Sequence, residues 1–67
     1  MDEKRQKIID KIEDLNQKRA SLRRSLQSLE ERKKNISEKK YEKLKEKYNK
    51  KLEKVKKEIH ELEMRLK

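Results

Sequence analysis

A break in heptad phase between Lys33 and Tyr41 constrains this chain more than any other feature. Before it, Ile8, Ile12, Leu15, Arg19, Leu22, Leu26, Leu29 and Lys33 recur at alternating steps of three and four residues. After it, Tyr41, Lys45, Tyr48, Leu52, Val55, Ile59, Leu62 and Leu66 do the same. That spacing lays one stripe along an α-helix and marks a coiled-coil seam. In the first run, a falls at 12, 19, 26 and 33 and d at 8, 15, 22 and 29; in the second, a falls at 45, 52, 59 and 66 and d at 41, 48, 55 and 62. An unbroken rhythm would put d at 43 rather than 41, and a two-residue slip rotates the seam by about 160°. One straight helix cannot hold its stripe against one partner through such a jump. The stretch KKNISEKKY, Lys33 to Tyr41, therefore reads as the turn of an antiparallel helical hairpin.

Folding the chain back about Ser37 pairs the two runs so that residue numbers sum to 74. The layers are Lys33/Tyr41, Leu29/Lys45, Leu26/Tyr48, Leu22/Leu52, Arg19/Val55, Leu15/Ile59, Ile12/Leu62 and Ile8/Leu66. Each sets an a against a d, as antiparallel packing requires. The turn has matching local chemistry. Ser37 is the expected N-cap of the second helix, with Glu38 in its first turn favourable to the helix dipole. Ile36 and Tyr41 then occupy the two positions of a hydrophobic staple. Asn35 is the best available residue for a left-handed position closing the first helix. The expected architecture is all-α: one two-helix antiparallel coiled-coil hairpin over residues 1–67, with helices at about 3–34 and 38–66 and a turn at about 35–37. Residues 1 to about 6 would overhang the seam, since their partners would be numbered beyond Lys67.

Composition fits this reading. Charged residues make up 55% of the chain and hydrophobic ones 28%, with no Gly, Pro or Cys. Such a balance usually means disorder, but thirteen of the apolar residues here are placed on the one seam. The absence of Cys removes disulfides and thiolate metal sites. No apolar run is long enough for a signal peptide or a membrane span, so a cytoplasmic location is expected. The initiating Met fits either a complete small protein or an excised segment.

Charge points to partners. The net charge is +9, and it is polarised: residues 1–14 and 58–67 each carry −1, while residues 15–57 carry +11. The outer c and f positions of the second helix are Lys40, Lys43, Lys47, Lys50, Lys54 and Lys57, a basic stripe about 26 Å long. Arg23, Arg24, Arg32 and Lys34 add charge from the first helix. These ten residues are candidate contacts to RNA or DNA phosphates, which lysines and arginines grip without reading base sequence. The ordinary alternative is a solvated face. A second class of function is a protein-protein adaptor or assembly element. Its candidates are the small-residue face Ala20, Ser21, Ser25 and Ser28, with Ile9 and Leu44 flanking the seam as sites a homodimeric four-helix bundle would bury. The basic seam residues Arg19, Lys33 and Lys45 read as register and snorkelling positions, Arg19 with Glu58 in reach. Tyr41 and Tyr48 read as core rather than base-stacking platforms.

Catalytic chemistry finds no foothold. His60 is the single histidine and falls at an outer b position, with Lys56 and Met64 as its helical neighbours. There is no Gly-rich phosphate loop, and a two-helix hairpin has no cleft to exclude water from a substrate. Neither an enzyme, a cofactor, a small-molecule substrate nor a membrane partner is expected.

The second helix opens with Ile36-Ser37, Tyr41, Leu44, Tyr48 and Leu52, the pattern I-S-x3-Y-x2-L-x3-Y-x3-L. Over that stretch the chain resembles the auxiliary helical-hairpin modules of archaeal-type small proteins. The resemblance implies an interaction element without chemistry of its own. In architecture alone the chain is similar to RNA-binding hairpins such as the tRNA-contacting arm of seryl-tRNA synthetases; no motif carries over.

Overall fold

The computed structural model describes residues 2–67; Met1, part of the expected overhang, lies outside the described residues. The protein is an all-α hairpin of two helices, α1 (Glu3–Glu31) and α2 (Glu38–Arg65), joined by a 3-10 turn at Lys33–Asn35. The helices lie against one another along a rod of 53 × 14 × 12 Å. Its radius of gyration is 15.6 Å, where a globular domain of this length would have about 11 Å. With so little depth, burial is confined to the seam.

The seam is the one the heptads predict. Leu22, Leu52, Val55 and Ile59 form a buried cluster against which Ile12, Leu15, Leu26 and Tyr48 pack. Both members of the layers Leu22/Leu52, Leu15/Ile59 and Leu26/Tyr48 belong to it. Leu29 and Tyr41 are buried towards the turn and Leu62 towards the open end. Val55 is only 3% exposed although Arg19, half-buried, is its expected partner. The arginine stem is long enough to cover apolar surface while its guanidinium reaches water. No ion pair joins it to Glu58 among the described residues. Lys33 and Lys45 also occupy seam positions and are exposed.

Both helix starts are capped by side chains. The Asp2 carboxylate accepts the Arg5 N–H at 3.4 Å, and the Ser37 hydroxyl oxygen accepts the Lys40 N–H at 3.2 Å. Each bond satisfies one of the free N–H groups that open a helix. Ile36 is half-buried and Tyr41 is buried at the two staple positions.

The end of α1 differs from expectation. The α-helix stops at Glu31, not near Lys34, and Asn35 does not take a left-handed conformation: no residue with a side chain has positive φ among those described. Instead Arg32, at φ −92° and ψ 0°, donates its N–H to the carbonyls of Ser28 and Leu29, each at 3.1 Å. The Asn35 N–H then bonds the Arg32 carbonyl at 2.8 Å. This tighter winding takes up carbonyls that a left-handed cap would otherwise have satisfied. Ile36, extended at φ −128° and ψ 160°, completes the reversal into Ser37.

Candidate nucleic-acid interface

In an antiparallel pair the g positions of one helix flank those of the other, and likewise the e positions. The hairpin therefore has a c/g flank and a b/e flank, with the f positions on the back of each helix. The structure joins the c/g positions of both helices in one groove near the turn. Ser21, Ser25 and Leu29 form one ridge of it and Arg24, Ser28 and Arg32 the next, while Lys40, Leu44 and Tyr48 form the facing wall from α2. Each set follows the i, i+4, i+8 spacing of a helix surface. The groove encloses about 460 Å³, with half-buried Ile36 closing its turn end.

Four of the six expected partner-interface residues, Ser21, Ser25, Ser28 and Leu44, meet in this groove. Ile9 and Ala20 do not. Ile9 lies near the open end at an e position, on the other flank from Leu44, and Ala20 is exposed at b. A single helix laid against the hairpin could not cover both Ile9 and Leu44.

The ten candidate phosphate contacts, all exposed, are likewise divided. Arg24, Arg32 and Lys40 line the groove, and Lys47 and Lys54 continue its flank at c positions. Lys43, Lys50 and Lys57 are on the back of α2, while Arg23 and Lys34 belong to the b/e flank. Two cations that sequence reasoning missed, Lys18 and Lys51, occupy g positions on the groove side.

The carboxylates are sorted just as unevenly. Along the basic stretch the c/g flank carries Lys18, Arg32, Lys40, Lys47, Lys51 and Lys54 and no acidic residue until Asp14 on α1 and Glu58 on α2. The b/e flank carries Glu30, Glu42, Glu46 and Glu53 against Arg23, Lys34, Lys39 and Lys56, and is neutral. Among the described residues each ion pair draws its carboxylate from that neutral side. Lys50 meets Glu46 at 3.2 Å, Lys56 meets Glu53 at 3.9 Å, and Lys45 meets Glu30 at 3.9 Å. The positive excess of the turn half is thus concentrated on the groove flank. On α2 its cations recur every three to seven residues, about 5–10 Å along a helix, within or near the Debye length at physiological salt, so their fields add.

The chain matches no family model, no curated protein and no solved structure. The likeness of the Ile36–Leu52 stretch to archaeal-type hairpin modules is one of pattern alone.

Nearest the turn, the b/e flank holds a polar cluster absent from the sequence reading. The Tyr41 hydroxyl donates to the Glu30 carboxylate. The ammonium groups of Lys33 and Lys45 sit 5.1 and 5.6 Å from the centre of the Tyr41 ring. The hydrogen bond to Glu30, then burial, then the Glu30 charge hold the Tyr41 pKa above its ordinary value of 10.0, with Lys45 opposing them. This cluster ties α1 to α2 beside the turn, and the two seam lysines take part in it by resting over an aromatic face. Tyr41 is accordingly 3% exposed, with its ring covered. Tyr48 is half-buried in the groove wall.

Among the described residues no group of His, Cys, Asp or Glu is placed to hold a metal ion. No helix there is long and apolar enough to cross a membrane.

Proposed function

We propose that the hairpin is a non-enzymatic coiled-coil binding module whose basic turn-proximal half contacts nucleic-acid phosphates without reading base sequence. The observation that carries this reading is the unneutralised c/g flank, where six cations run without an intervening carboxylate. A solubilising surface has no need to keep its acids off one side, whereas a phosphate-binding surface does. Lysine and arginine on a helix exterior grip the backbone and carry no base code. Such binding releases counterions, so it weakens steeply with salt. Six contacts to a single strand correspond to a slope of about −4 in log K against log salt, or about a thousand-fold between about 50 and 300 mM.

The test is binding of labelled RNA and duplex DNA at those two salt concentrations. A variant with Lys40, Lys43, Lys47 and Lys50 changed to Glu serves as the comparison. Salt-sensitive binding by the parent, lost in the variant, is the expected result. No binding by the parent at low salt would sink the reading. A protein-protein adaptor role would then take its place, favoured by half-buried Leu44 and Ile36 at the groove.

A further inference from the structure

We infer that the groove between the Ser21/Ser25/Ser28 face and the Lys40–Leu44–Tyr48 ridge is the seat of one phosphodiester strand. The lysines on the back of α2 contribute only background field. This rests on the nucleic-acid reading above and assigns it to a place.

Three features of the groove converge on that occupant. Arg24 and Arg32 stand on one wall and Lys40 on the facing wall, so a phosphate between them meets cations from both helices. Guanidinium groups suit phosphate oxygens in paired hydrogen bonds. Between the arginines the α1 surface is made of serines, whose small side chains admit a backbone close to the helix and whose hydroxyls donate to phosphate oxygens. Beyond the groove the line of positive charge continues along the same flank through Lys47, Lys51 and Lys54. A strand leaving the groove towards the open end stays on cations until it reaches Glu58. There Asp14, Glu58 and Glu61 mingle with Lys11 and Arg65 around a second hollow, and the unbroken line of positive charge stops. The track therefore has a definite end.

The cations of the c/g flank follow one line along the rod, the arrangement that a single phosphate backbone meets. An anionic bilayer fits less well. Stable surface binding needs an apolar face to insert, and the one large exposed hydrophobic side chain among the described residues is Met64, near the open end and away from the groove. The back of α2 is a poorer seat than the groove because Lys50 already meets Glu46.

Three variants of the full chain isolate the site, each checked for helicity by circular dichroism. The first carries Arg24→Gln, Arg32→Gln and Lys40→Gln. The second removes the same charge from the back of α2 with Lys43→Gln, Lys50→Gln and Lys57→Gln. The third, Ser25→Leu, fills the groove without changing charge. Binding of a labelled single-stranded RNA is measured over a salt series. The first variant is expected to lose about a hundred-fold in affinity at about 50 mM salt, and its salt slope should become shallower by about 2. The back-face variant should lose less than about ten-fold. Ser25→Leu should weaken binding about five-fold or more with its slope nearly unchanged, because the cations remain. Equal losses in the two charge variants would overturn the assignment and leave a diffuse field in its place, as would a Ser25→Leu protein that binds like the parent. A parent that captures phosphatidylserine vesicles but not RNA would instead overturn the nucleic-acid reading beneath it.

Discussion

At the scale of single residues, Tyr41 joins stability to pH. Its neutral hydroxyl donates to Glu30, and its pKa is raised by that bond, by burial and by the Glu30 charge. A raised acid pKa means that the folded state holds the proton more tightly than the unfolded state does. The stabilisation is fully present below the ordinary value of 10.0 and is lost as pH rises through the folded-state pKa. Tyr41→Phe keeps the ring and the flanking ammonium groups but cannot donate. The parent should therefore melt at a higher temperature than Tyr41→Phe at neutral pH. The gap should close as pH climbs above about 10. Melting curves of the pair across that range check this, and a gap that stays constant with pH would show that the hydroxyl contributes nothing through its proton. The difference between the two proteins is the useful quantity, because it cancels the lysines that lose charge over the same range.

At the scale of elements, the hairpin depends on how its turn is closed. Ser37 is fully responsible for one cap bond, to the Lys40 N–H. Ser37→Ala should cost about 1 kcal/mol, read as a lower midpoint in urea with an unchanged slope. Ser37→Asp should restore most of it, since Asp caps as well as Ser. Loss in both variants alike would point to packing at the turn rather than capping. The seam, the turn and this cap were legible in the sequence because each follows from local spacing: a period of 3.5 residues, a two-residue slip, a serine one position before a helix. The 3-10 close of α1 was not. Asn35 is the preferred left-handed residue in the stretch, but the carbonyls at the end of α1 are satisfied three residues earlier by the Arg32 N–H, a choice between two local minima that propensity does not resolve. The Tyr41–Glu30 bond was hidden for another reason. Glu30 is an outward e residue in its own heptad, and only the paired geometry brings it to a hydroxyl eleven residues away. The charged flank, by contrast, could have been found. The same register that located the stripe of lysines also places Glu30, Glu42, Glu46 and Glu53 at b or e; sorting acids as well as bases by heptad position shows which side is left positive. That sorting also recovers Lys18 and Lys51, whose g positions lie outside the c and f stripe of α2.

At the scale of the whole molecule, the segregation that suits the flank to phosphates should weaken the fold that presents it. The hairpin carries +9 in 67 residues, and the three ion pairs among the described residues involve side chains that are roughly half exposed or more, so screening makes each worth little. Repulsion along the c/g flank faces no local opposition. Salt should then act on the two properties with opposite sign. Raising sodium chloride from about 20 to 500 mM shortens the Debye length to a few ångströms, which relieves the repulsion and should raise the melting temperature, while RNA affinity falls. Lys51→Glu tests the same conflict at one position. Lys51 lies between Lys47 and Lys54 on the flank, and Glu and Lys have similar helix propensity, so the substitution changes charge and little else. It replaces two like-charge neighbours with two opposite-charge ones at helical spacings of four and three, worth about 0.5 kcal/mol or more at low salt. The variant should therefore be more stable than the parent and bind RNA more weakly, and its gain in melting temperature should shrink in high salt. A melting temperature that falls with salt in the parent would mean that attractive pairs outweigh the flank repulsion, and the conflict between folding and binding would not exist.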